Sequence, residues 1–294
     1  MTPWTDRAGN LSPLKAVAFA GTLVPALLLG YYAMRGFPQG AGASTLLGPR
    51  PFTAAIHETG DWAIRFLLMS LAVSPLRRIG QWPKLILIRR MLGIAALAYA
   101  LGHLVLYFFD QNWDVVRVVS EIALRIYLTI GFVALLGLVA LGVTSTDKAI
   151  KKLGRNWNRL HKSVYAIGIL AALHFFMQSK ADVYEPTLMA GFFMLLMFYR
   201  VAHWRGFGLT SPLVLIAIAV LAALSTVIVE AGWYGLATGV PPSRVLWANL
   251  QFSYTIRPGW WILATGLAVA AVGFVRSMGK AEAPRGRRAA RAAA

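Results

Sequence analysis

The sequence predicts an all-α, polytopic membrane helix bundle of about eight spans with both termini in the cytoplasm. Three observations carry that prediction. The chain is 58% hydrophobic and 14% charged, with a mean hydropathy of +0.61, a balance that gives a soluble domain too little polar surface. Its apolar residues fall into runs approaching the roughly 20 helical residues that cross a bilayer core. Its Lys and Arg gather in alternate connections, the asymmetry that orients membrane proteins.

The runs cover residues 14–34, 62–76, 91–109, 122–143, 161–178, 187–203, 211–229 and 260–276. The first reads as an anchor rather than a cleaved leader, because it is long and lacks a small-x-small cleavage site. The second is short and carries Arg65. Arg7 and Lys15 flank the first span on its inner side. Arg77, Arg78, Lys84, Arg89 and Arg90 follow the second span, and Lys148, Lys151, Lys152, Arg155, Arg159 and Lys162 surround the end of the fourth. Arg200 and Arg205 follow the sixth, and the tail from Arg276 is basic again. These segments contain the acids Asp6, Asp147 and Glu282; the other acids lie in the alternate loops, which are therefore placed outside. An even number of spans also returns both ends to one side.

A net charge of +18 would otherwise suggest nucleic acid. Confined to short loops beside apolar spans it is topogenic, so the lipid bilayer is the expected partner and no nucleic acid is. In the fourth loop, Thr144-Ser145-Thr146-Asp147 offers helix N-caps and Gly154 a stop. A short basic helix from Lys148 to Leu153 is predicted there, on the cytoplasmic surface.

The chain has no cysteine, which excludes disulfides, thiolate zinc sites, iron–sulfur clusters and covalent c-type haem attachment. It does place His103, His161 and His174 in or beside apolar spans. Ionisable groups are rare at such depths and mark functional sites, and imidazole is a standard axial ligand of haem iron. Spans three and five both run outward, which brings His103 and His174 to one outer depth. That arrangement suits a haem held between two helices with these histidines as opposite axial ligands. His161 lies about 20 Å deeper than His174 and Arg89 about 21 Å deeper than His103, so His161 and Arg89 form a candidate inner site. On an ideal helix, the thirteen steps from His161 to His174 leave about 140° of rotation, which a tilt or π-bulge must absorb. Gly93, Gly131, Gly137 and Gly168 mark close approaches along the haem path or ordinary helix packing. His57 and His203 read as solvated, Met177 as packing, and Arg65, Trp62 and Trp157 as interfacial anchors.

The order Thr59-Gly60-Asp61-Trp62-Ala63, Ser74-Pro75-Leu76, Arg89-Arg90-Met91-Leu92-Gly93, Leu101-Gly102-His103-Leu104, Thr144-Ser145-Thr146, Leu153 to His161, Tyr165 and His174 resembles the MsrQ (formerly YedZ) family of the ferric-reductase-like transmembrane superfamily. The resemblance covers about residues 50–204. It implies a multi-pass subunit of the bacterial inner membrane with b-type haem, one or two per chain, and FMN. Electrons would pass from the quinone pool to a periplasmic molybdopterin partner, MsrP-like, which reduces methionine sulfoxide in oxidised proteins. The chain itself would then be an electron-transfer subunit, with the sulfoxide chemistry in the partner. His103 and His174 would be the haem-iron ligands, His161 a further metal ligand or inner contact, and Arg89 a cofactor contact.

Arg89 stands where ferric reductases carry a second-pair histidine, which leaves His161 without a histidine partner. There is no G-x-G-x-x-G fingerprint for a nicotinamide. On this reading residues 1–45 are an anchor span and loop, 46–206 the haem-binding core, 207–278 an additional pair of spans and 279–294 a disordered basic tail. Two other readings of the residues are a ferric or quinone reductase without that partner, and a transporter or assembly protein with structural histidines.

Overall fold

The computed structural model describes residues 3–5, 9–36, 47–180, 182–252 and 255–281. Among them the regular structure is helical, apart from one isolated bridge between Thr5 and Leu11. The helices are α1 (Pro13–Gly36), α2 (Pro51–Ile79), a 3-10 segment (Pro83–Ile88), α3 (Arg89–Asp110), α4 (Val115–Leu124), α5 (Ile126–Val143) and α6 (Asp147–Leu153). They continue with α7 (Arg155–His161), α8 (Val164–Gln178), α9 (Tyr184–Trp204), α10 (Pro212–Thr238), α11 (Pro242–Ala248) and α12 (Pro258–Ala281). The expected disordered tail lies outside the described residues beyond Ala281; before that point, α12 remains helical through Lys280 and Ala281.

Seven helical segments among the described residues are long and apolar enough to cross a membrane: α1, the 3-10 segment with α3, α5, α7 with α8, α9, α10 and α12. The eighth expected span falls in α2, where Glu58, Asp61, Arg65, Arg77 and Arg78 dilute the apolar character. Packing shows what composition hides. Gly60 of α2 lies against His103 of α3, and Ser70 Oγ donates to the Arg89 carbonyl at 3.1 Å. Residues 60–70 thus descend beside 103–89, and α2 crosses the same depth as α3. Large side chains such as Val17, Leu27, Leu136 and Leu213 are exposed, as expected of surfaces covered by lipid.

The chain forms two compact units, Met1–Leu71 with Leu87–Met189, and Ala72–Ile86 with Ala190–Ala294. In the first, α5 and α8 pack antiparallel through glycines: a Cβ on Gly131 would meet His174, and one on Gly137 would meet Ile167. Gly142 of α5 similarly receives Leu97 of α3. Small residues at such crossings let backbones approach where no hydrophobic force drives helices together. α1 joins α3 through one phenol: Tyr99 Oη donates to the Thr22 carbonyl (2.9 Å) and accepts from the Ala26 amide (2.8 Å). The hydroxyl therefore sits inside the α1 ladder beside Pro25, a recognised cause of local helix distortion.

The second unit is built on α10, whose buried Leu215, Ala219, Ala222, Thr226 and Glu230 recur at helical spacing on one face. Gly266 of α12 abuts Ala219, and Gly191 of α9 receives Thr226 and Ile262. Buried Glu230 accepts from Arg257 at 3.1 Å and from Asn249 Nδ2 at 2.8 Å, tying the α10–α12 connection to the helix.

Two local expectations are resolved in detail. The short basic helix expected in the fourth loop exists as α6: Thr146 Oγ1 accepts from the Ala149 amide (3.2 Å), and Gly154 ends it at φ +51°. The continuous fourth span expected over 122–143 is instead two helices, broken at Arg125, whose backbone is extended (φ −104°, ψ 106°). The fifth span is also divided. Lys162 and Ser163, both with right-handed helical backbone, form a turn between α7 and α8.

Candidate functional site

One cavity of about 370 Å³ opens within the first unit, lined by residues of α2, α3, α4, α5 and α8. His103 and His174 face each other across it, with ring centroids 6.3 Å apart and planes at 87°. Each ring is oriented by the same device. His103 Nδ1 is 2.7 Å from the carbonyl of Ile56 on α2, and His174 Nδ1 is 2.8 Å from the carbonyl of Tyr127 on α5. A carbonyl can only accept, so Nδ1 carries the proton in both rings and Nε2 keeps its lone pair. Neither Nε2 has a hydrogen-bond partner among the described residues.

The neighbouring helices must come very close for those bonds to form. A Cβ on Gly60 would stand 3.0 Å from His103 Nδ1, and one on Gly131 only 2.6 Å from His174 Nδ1. The two glycines are therefore seats for the imidazoles. Leu67, Leu104, Phe132, Leu135 and Leu138 make the body of the cavity apolar.

Its mouth is polar. The Tyr107 hydroxyl donates to Glu121 Oε2, while Arg125 and Arg117 reach Glu121 Oε1 at 3.2 and 3.6 Å. The Tyr107 bond first, then the two guanidiniums, hold the Glu121 carboxyl below its ordinary range. Gln111 Oε1 is buried in the lining without a partner among the described residues.

The other predicted residues lie elsewhere. His161 Nε2 is 3.1 Å from the Thr144 hydroxyl, and its ring stacks on Trp157 at 4.0 Å; Trp157 Nε1 donates to the Thr144 carbonyl. Arg89 is within electrostatic reach of His161. Neither residue lines the cavity between His103 and His174. Arg65 pairs with Glu185 at 3.3 Å and lies over the Trp62 ring, and it does not line the cavity either. His57 is exposed at the cavity rim, and His203 is exposed at the end of α9.

Sequence reasoning missed Gly60, Tyr107, Arg117, Glu121 and Arg125 as parts of this site. Gly60 was legible as the one glycine within a long α2. The mouth residues carry no comparable signal, because a helix break brings them over the cavity.

Two imidazoles alone are a poor cage for a bare ion. Among the described residues there is no cluster of three or more His, Cys, Asp or Glu able to hold one. They suit a metal whose other positions come from a flat macrocycle. Imidazoles binding one metal from opposite sides, with bonds of about 2 Å, have centroids about 6 Å apart, and the 6.3 Å separation matches.

The model of the ferric reductase like transmembrane component matches residues 59–172. The protein-methionine-sulfoxide reductase heme-binding subunit MsrQ of Xanthomonas campestris pv. campestris (strain 8004) is 43% identical over 192 residues, 65% of this chain and 86% of the relative. The protein of the same name from Bordetella pertussis (strain Tohama I) is 38% identical over 166 residues, 55% of this chain and 81% of the relative. No solved structure matches. With four-fifths or more of such relatives aligned to it, the chain belongs to the MsrQ family.

Proposed function

We propose that this protein is the b-type haem electron-transfer subunit of a bacterial inner-membrane system that repairs oxidised methionine. It would carry electrons from the quinone pool to a periplasmic molybdopterin reductase. One observation carries the reading: two imidazoles share a cavity at single-metal spacing, each with Nδ1 bound to a carbonyl and Nε2 unclaimed.

When bound there, haem supplies reversible one-electron chemistry. His103 and His174 would hold its iron through Nε2. The Ile56 and Tyr127 carbonyls fix ring orientation and raise ligand basicity by drawing on the Nδ1 proton. Leu67, Leu104, Phe132 and Leu135 exclude water, which favours the lower-charge state of a buried centre. Arg117 and Arg125 keep donors beyond those used on Glu121 and would hold the propionates, since guanidinium suits planar carboxylates. Gly60 and Gly131 permit the histidine positions.

The reading takes one haem per chain. His161 has its Nε2 on Thr144 and a ring face on Trp157, so it serves with Arg89 as the inner contact at which quinol electrons enter. FMN is the other cofactor of the resemblance. Arg89 is its candidate phosphate partner, but it lines neither of the two cavities described for this unit, and FMN plays no part in the reading.

The test is electron delivery. Membranes holding this chain and a periplasmic molybdopterin sulfoxide reductase should reduce that partner on addition of quinol. A partner that stays oxidised while the haem becomes reduced would refute the assignment and favour a reductase acting alone.

A further inference from the structure

A second cavity of about 850 Å³ runs between α1 and the α2–α3 pair. Its walls are almost wholly apolar: Phe19, Leu23, Met91, Ile94, Ala95 and Ala98 line its cytoplasmic half. At the cytoplasmic rim stand Lys15 and Arg90, and among the described residues no acid lines the groove. Lys15 Nζ uses one donor on the Thr5 carbonyl at 2.9 Å, and Arg90 uses one nitrogen on Asp147 at 2.8 Å. An ammonium has three N–H groups and a guanidinium five, so both cations retain donors. About 13 Å deeper along α3, Tyr99 bridges to Thr22 and Ala26 and joins the two walls. That depth is close to half of a hydrocarbon core roughly 30 Å thick.

We propose that this groove seats one anionic phospholipid of the cytoplasmic leaflet. Its phosphate bonds Lys15 and Arg90, and one acyl chain lies along Phe19, Met91, Ala95 and Ala98 as far as Tyr99. Basic pockets between spans on the cytoplasmic side are suited to anionic headgroups. The groove adds an apolar slot one leaflet deep beneath the cations. Such a lipid would complete the wall between α1 and the haem core, where Tyr99 hydrogen-bonds across the two helices. The site is separate from the histidine cavity and does not depend on the haem assignment.

The experiment is native mass spectrometry of the full chain, purified in detergent and offered phosphatidylglycerol or phosphatidylcholine. The unaltered protein should retain one phosphatidylglycerol about ten-fold more strongly than phosphatidylcholine. The double variant Lys15→Gln with Arg90→Gln should lose that preference. Ala98→Trp, which fills the slot without touching a charge, should lose retention of both lipids. Monodisperse elution serves as the folding control, and the charge variant decides alone if Ala98→Trp fails it. Equal retention of the two lipids by the unaltered protein, or undiminished preference in the charge variant, would overturn the proposal. So would an isoprenoid quinone occupying the groove in the phospholipid's place.

Discussion

His103 and His174 are each held by a carbonyl on a neighbouring helix rather than by their own, and glycine makes that reach possible. The seats are unequal. A methyl group on Gly131 would stand 2.6 Å from His174 Nδ1, inside any tolerable contact, whereas on Gly60 it would stand 3.0 Å from His103 Nδ1. Overpacking of this kind costs about 1–3 kcal/mol. Gly131→Ala should therefore purify with clearly less haem per protein than the unaltered chain, and Gly60→Ala with a smaller loss. Haem quantitation by the pyridine haemochrome method checks the order. Equal haem content in both variants and the parent would show that the seats do not matter.

At the scale of elements, the break at Arg125 is decisive, because it turns α4 away from α5 and sets Glu121 beside Tyr107 at the cavity mouth. Glu121 has its carboxyl held below the ordinary range in the folded protein, first by the Tyr107 hydroxyl. A depressed carboxyl contributes stability above its unfolded pKa, about 4.3, and that contribution fades as pH falls towards the folded value. Thermal stability should therefore hold between pH 8 and 5 and fall in more acidic buffer, and Tyr107→Phe should be less stable at neutral pH and lose less stability on acidification, with a shallower acid limb. Melting curves across a pH series test this. A variant whose acid limb coincides with the parent's would contradict it.

The elements also mark what could be read in advance. The α6 cap and the Gly154 stop were visible because Ser, Thr and Gly act through local backbone geometry. His103 and His174 at one depth were visible because span direction and rise per residue are simple. The break at Arg125 and the turn at Lys162–Ser163 were not. Ile122 to Val143 is uncharged throughout except at Arg125, so hydropathy alone reads a continuous span. α2 showed the converse difficulty, because its charges hid a helix that packs beside α3 across the same depth. The phenol inserted at Pro25 needed tertiary contact to be seen at all.

On the scale of the whole molecule, the chemistry and the extra helices occupy different units: every residue lining the histidine cavity belongs to the first. The second unit has its own polar clasp, with Glu230 only 1% exposed against Arg257 and Asn249. Glu230→Ala would leave Arg257 without its carboxylate. The expected destabilisation is about 2–4 kcal/mol, below the full cost of a buried pair because Arg257 keeps some water contact. A lower melting temperature with an unchanged haem spectrum is the expected result; a changed spectrum would contradict the assignment of the cavity to the first unit alone.

Haem ligation by His103 and His174 is tested most directly by optical spectra of the purified protein and of three single variants, His103→Ala, His174→Ala and His203→Ala. It predicts a low-spin bis-imidazole haem spectrum in the parent and in His203→Ala, and its loss in both of the others. The same spectrum in all four proteins, or no Soret band in the parent, would contradict it.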